Sequence, residues 1–112
     1  MAASKASKAV QKNVQVDLNN PVFLRNWAAL GKDDRSRVLD TVDKVQQMTW
    51  SQVYADKGLN WEKITSAEPP KGIDAWYSIR VTQSCRALVY RDGDFMRFLL
   101  VKADHDSAYG KK

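Results

Sequence analysis

The chain has 112 residues, 44% of them hydrophobic, and a formal net charge of +5. That size supports one domain around one core, and the sequence holds neither the run of about 20 apolar residues that a membrane span needs nor the apolar segment of a secretory leader. The single cysteine, Cys85, cannot form an internal disulfide, which leads to the expectation of a cytoplasmic protein.

The charge is unevenly placed. Lys5, Lys8, Lys12, Lys111 and Lys112 lie at the two termini, and the 18 basic residues less these five leave 13, equal to the 13 acidic ones. Basic surface on the globular body must therefore come from segregation. Residues 1–13, rich in Ala, Ser and Lys, have little to bury and read as a disordered basic tail, with a single domain over 14–112.

In chain order, Val14 and Val16 alternate with polar residues and can form a short edge strand. Asn19-Asn20-Pro21 starts a helix, because Asn caps and Pro fits the first helical position. Phe23, Leu24, Trp27 and Leu30 form its apolar stripe, which Gly31 ends. A second helix, capped by Asp33 or Asp34, carries Val38, Leu39, Val42, Val45 and Met48 on one face. A connection of about three residues folds the two helices into an antiparallel hairpin.

Thr49 caps a short third helix through Trp50, Val53 and Tyr54, whose helical spacing favours packing over a stacking platform for bases. Residues 59–65 read as a strand containing Glu62 and Lys63. Residues 66–74, with Pro69, Pro70 and Gly72, form a loop that cannot join a sheet ladder. Three strand-like runs follow, AWYSIRV, CRALVYR and DFMRFLLVKA, separated by Thr82-Gln83-Ser84 and by Asp92-Gly93, a dipeptide suited to a tight hairpin turn. Helices followed by strands predict an α+β fold: an N-terminal helical hairpin on one face of a four-stranded, mainly antiparallel sheet whose other face is open.

The arginine hairpin, from Tyr77-Ser78-Ile79-Arg80 through Cys85-Arg86-Ala87-Leu88-Val89-Tyr90 and Asp92-Gly93 to Asp104-His105-Asp106-Ser107-Ala108-Tyr109, resembles the RelE/ParE superfamily of toxins from bacterial toxin-antitoxin pairs. The resemblance spans roughly residues 22–109 and is specific from Ala75 onward. It implies a RelE-like toxin domain, a cognate antitoxin as partner, and a ribosome-dependent endoribonuclease (an mRNA interferase) that inhibits translation by cutting mRNA on the ribosome. ParE-like members inhibit DNA gyrase on the same fold, and a RelE-fold protein without toxicity is a third reading, so the site has to decide.

Metal-independent cleavage by a 2′-hydroxyl needs a proton acceptor, a proton donor for the leaving 5′-oxygen, and positive charge on the phosphorane-like transition state. Arg80 and Arg86 are the RNA-binding and catalytic candidates for the charge, since a guanidinium grips phosphate oxygens bidentately and stays charged. His105, with an ordinary pKa near 6.5, is the acid/base candidate; the plainer reading is a histidine that hydrogen-bonds a neighbouring aspartate. Tyr109 is a second donor or a base-stacking group. One histidine and one cysteine make no metal ligand set, so neither metal nor cofactor is expected. Cys85 reads as a small packing residue, and Arg91 and Arg97 are assigned no role.

Overall fold

The computed structural model describes residues 12–103. In chain order these form β1 (Gln15–Asp17), α1 (Pro21–Ala29), α2 (Lys32–Gln46), α3 (Trp50–Ala55), β2 (Glu62–Lys63), β3 (Tyr77–Thr82), β4 (Cys85–Asp92) and β5 (Phe95–Ala103). The fold is α+β, with three helices and one mixed sheet. The sheet has five strands rather than four, in the order β1-β5-β4-β3-β2. The added strand is β1, Gln15–Asp17, which overlaps the edge strand expected around Val14 and Val16, and it pairs with β5 in parallel. Both edge strands are very short, which limits the unpaired backbone offered to another chain. None of the helices among the described residues is long and apolar enough to cross a membrane.

Local signals account for most helix ends. Asn20 Oδ1 accepts from the N–H groups of Val22 (2.8 Å) and Phe23 (3.4 Å), with Pro21 at the first helical position. Thr49 and Gln52 make a reciprocal capping box at the start of α3. The cap of α2 differs from expectation. Gly31 occupies it without a side-chain bond, and Asp33 and Asp34 fall in the first turn, where they complement the helix dipole.

The expected helical hairpin also changes. Only Leu30 and Gly31 separate α1 from α2, and each helix packs chiefly on the sheet, α1 against β5 and α2 against β1 and β3. Trp27 Nε1 donates to the Arg35 carbonyl, and Arg35 Nη1 donates to that of Leu30, tying the junction. With the sheet so close, the buried stripes narrow to Phe23 on α1 and to Val38, Thr41, Val42 and Val45 on α2. Leu24 and Leu39 stay about half exposed.

One core joins these stripes to Ile79, Cys85, Ala87, Val89, Met96, Phe98 and Val101 of the sheet. Phe23 meets Phe98 edge to face at 5.4 Å. Strand β2 is shorter than the 59–65 run expected, because Asn60 takes a left-handed φ of 50° and breaks the extended backbone. The final hairpin turns at Gly93-Asp94, one residue later than Asp92-Gly93. Asp92 pairs with Phe95, and Gly93 has φ 62° at the first central position, the arrangement of a type II′ turn. The Asp94 carbonyl then accepts from Gln15 N and from Trp50 Nε1, joining the turn to β1 and α3.

Arg97 fixes β1 laterally by donating to both Asp17 and Asp92. The Asn19 backbone N–H, followed by Arg97, holds the Asp17 carboxyl below its ordinary value against the opposing effect of burial. Lys44 does the same for Asp56, helped by the Leu59 N–H.

Truncating Phe98 to Ala removes the ring at the α1–β5 contact and should cost about 3–5 kcal/mol in urea unfolding. Both depressed carboxyls contribute stability that is present above their unfolded pKa of 3.8 and is lost as pH falls through the lower folded value. An Asp17→Asn, Asp56→Asn double variant should therefore melt lower than wild type at neutral pH, with the difference closing in melts recorded progressively below pH 4.

Candidate nucleic-acid interface

Strand β4 sorts its side chains by alternation. Cys85, Ala87 and Val89 are fully buried against the helices, while Arg86, Leu88 and Tyr90 point to the other face and remain partly exposed. Directly opposed residues share a face, so the register fixes what joins Arg86. Arg80 of β3 lies opposite it on one side and Lys102 of β5 on the other. The three cations form a row across the sheet, about 10 Å from first to last strand given the usual strand spacing.

This row exists because the register shifts on both sides of β4. Thr82 pairs with Cys85, yet Arg80 pairs with Arg86, leaving Val81 as an extra residue. Val89 pairs with Phe98, yet Leu88 pairs with Leu100, leaving Leu99 as a second. Such bulges re-aim the side chains that follow them. The Leu99 bulge lets Phe98 and Val101, three residues apart, both enter the core. It also sends Lys102 to the same face as Arg86.

Among the described residues Arg80, Arg86 and Lys102 join no ion pair. Arg86 Nη1 approaches Ser78 Oγ at 3.4 Å, and Ser78 is buried. Glu62 lies opposite Ser78 in the register, one pair farther along the same face. Like charges opposed across a ladder destabilise a sheet, and a local rule broken this way is common at functional positions.

The other two arginines of the segment have structural partners. Arg91 donates to Tyr54 Oη at 2.8 Å and to the Gly93 carbonyl, and lies 4.5 Å from the centre of the Trp50 ring. Arg97 is held by its two aspartates. Trp50, Tyr54, Trp61 and Tyr77 form a continuous ring cluster, with Trp61 stacked on Tyr77 at 4.4 Å. Trp50 is accordingly a packing residue, and the cluster lies on the helix side of the sheet, away from the cation row.

The open face is less open than expected. Ile64 N donates to the Trp76 carbonyl, continuing the β2–β3 pairing, and Trp76 is buried with its Nε1 donating to the Ala67 carbonyl. The loop over 66–74 thus folds over part of this face beside Leu88 and Leu100. His105 and Tyr109 lie outside the described residues. Of the four sequence candidates, the structure brings Arg80 and Arg86 together and adds Lys102, Ser78 and Trp76, which sequence reasoning had not singled out. The pairing of β3 with β4 sets Arg80 beside Arg86, and the Leu99 bulge brings in Lys102.

The architecture has solved counterparts. A chain of the archaeal RelE–RelB complex from Pyrococcus horikoshii OT3 superposes with a TM-score of 0.58 at 16% identity, over 82% of this chain and 96% of that one. The chain has the RelE fold. A chain of the RelB–RelE antitoxin–toxin complex from Methanococcus jannaschii gives 0.55 at 19% identity, over 88% and 98%. No family model and no curated protein matches the sequence. On this RelE fold, the row of three cations lies on the face opposite the helices, and guanidinium and ammonium groups are chemically suited to phosphate oxygens.

Replacing Arg80 with Gln removes one of two opposed charges. It should stabilise the fold by about 0.5 kcal/mol in urea unfolding.

Proposed function

We propose that the protein is the toxin of a toxin–antitoxin pair and that it cuts mRNA on the ribosome by metal-independent 2′-hydroxyl attack. The observation that carries this reading is the Arg80–Arg86–Lys102 row. In the reaction the 2′-oxygen forms a bond to phosphorus and gives its proton to a base. The bond to the 5′-oxygen breaks, and that oxygen takes a proton, leaving a cyclic phosphate and a 5′-hydroxyl. Arg80 and Arg86 hold the non-bridging oxygens and offset the charge that builds on them, the role in which fixed cations contribute most. Lys102 adds a third positive charge beside Arg86.

His105 is proposed as the proton-transfer group and Tyr109 as a donor or stacking group. Strand β5 ends beside the row, since Lys102 is opposite Arg86 and Ala103 is opposite Cys85. His105 follows Ala103 by two residues, about 7 Å of fully extended chain at most. That reach is what supports assigning it to this site. Two solved chains of this fold come from a RelE–RelB complex and an antitoxin–toxin complex, which supports a small antitoxin as the cognate partner, docking through a segment that folds on binding.

Induced expression in bacteria, with cleavage mapped by primer extension on a translated message, tests the reading. Wild type should arrest growth and cut within codons. Arg86→Ala should lower cleavage by about 10²–10³-fold, the usual loss for one transition-state donor, and His105→Ala should lower it as well. Growth arrest with intact messages and DNA damage would reject the nuclease in favour of gyrase inhibition. Absence of arrest would point to a RelE-fold protein without toxicity.

A further inference from the structure

The cation row borders a cavity of about 310 Å³ on the same face of the sheet. Its floor is the opposed pair Leu88 and Leu100, its walls are Ile64 and Trp76, and Ala67 of the 66–74 loop closes one side. Arg86 and Lys102 also line it, and none of its lining residues is a carboxylate. The Trp76 N–H is already taken by the Ala67 carbonyl, so the tryptophan contributes apolar ring surface and holds the loop in place. The volume is at the small end of ligand sites and suits one planar group rather than an extended molecule.

An apolar slot with two cations on its lining fits an occupant that is flat and apolar at one end and anionic at the other. We infer that the cavity seats one nucleobase of a single-stranded RNA, the phosphate next to that base lying on Arg86 and Lys102. The inference rests on the proposed RNA-binding role of the row and adds to it a site for base contact. A nucleic acid is favoured over an acidic peptide because its charge repeats with each nucleotide, and the cations likewise continue past the cavity to Arg80. Base stacking on an aromatic wall is tolerant of sequence and contributes about 1–3 kcal/mol per base. The cavity therefore adds affinity for an unpaired base more than it selects among bases.

The test is equilibrium binding of a short single-stranded RNA, and of the same strand with a single abasic ribose at its centre, to the purified full chain. Wild type should bind the intact strand about tenfold tighter than the abasic one. In Ala67→Trp, which fills the cavity from an exposed loop position, affinity for the intact strand should fall to that for the abasic strand, which should itself bind as before. A strand carrying 2-aminopurine at the same position should lose fluorescence on binding wild type and not on binding Ala67→Trp. Equal affinity of wild type for both strands would overturn the inference, as would a base preference that persists in Ala67→Trp. Competition by a poly-glutamate peptide without any base preference would overturn the inference and assign the cavity to an acidic protein segment instead. Failure to bind either strand would reject this inference and the phosphate role of the row together, whereas a base preference without cleavage would leave the inference standing and reject only the nuclease.

Discussion

The register of β4 against its two neighbours is the constraint on which the rest depends. A shift of one residue in a ladder exchanges the faces of every side chain beyond it. Here one shift occurs on each side, at Val81 and at Leu99. Without the first, Arg80 would stand opposite Ala87 and share the buried face. Without the second, Arg86 would oppose Val101, and Lys102 would turn toward the core. Two single-residue bulges thus supply both a dry helix-side core and a cationic row opposite to it.

Four arginines between Arg80 and Arg97 show how position decides the fate of one residue type. Arg91 and Arg97 sit near the turn, where Tyr54, the Gly93 carbonyl, Asp17 and Asp92 accept hydrogen bonds from their N–H groups. They close the end of the sheet and join β1 and α3 to it. Arg80 and Arg86 sit at the other end, opposed to each other, with Lys102 alongside and no ion pair to any of the three among the described residues. That arrangement costs stability and leaves positive charge available to an external anion. The buried Trp76 and its loop narrow the face to a strip, so the charge and the apolar slot lie side by side.

Much of this was legible in the sequence. Asn20-Pro21 and Thr49 are short-range capping signals satisfied within one turn of helix, and the structure places helix starts at both, adding Gln52 as the reciprocal partner of Thr49. The burial pattern along Cys85-Arg86-Ala87-Leu88-Val89-Tyr90 alternates as a strand's must, but which face Arg86 shares with Arg80 rests on the hairpin register, and that is not a local signal. The sequence was mute where a long-range partner decides. The edge strand near Val14 and Val16 was legible from alternation, but its parallel place beside β5 was not, because Arg97 and the Asp94 carbonyl hold it there. Leu24 and Leu39 lie within apolar stripes but remain exposed, because each helix lies on the sheet and buries a narrower arc. The Leu99 bulge is hidden in the continuous apolar run Phe98 to Val101, where period-two alternation cannot be seen. Lys102 was missed for that reason.

The central claim is that the sheet face carrying Arg80, Arg86 and Lys102, and not the aromatic cleft around Tyr54 and Trp61, meets the RNA phosphates. The most direct measurement is an NMR titration of the side-chain resonances of arginine and lysine with a short single-stranded RNA. The account predicts that the signals of Arg80, Arg86 and Lys102 shift together at one saturating concentration, while those of Arg91 and Arg97 stay in place. Shifts confined to Arg91 and the indole signals of Trp50 and Trp61, with the row unmoved, would contradict it.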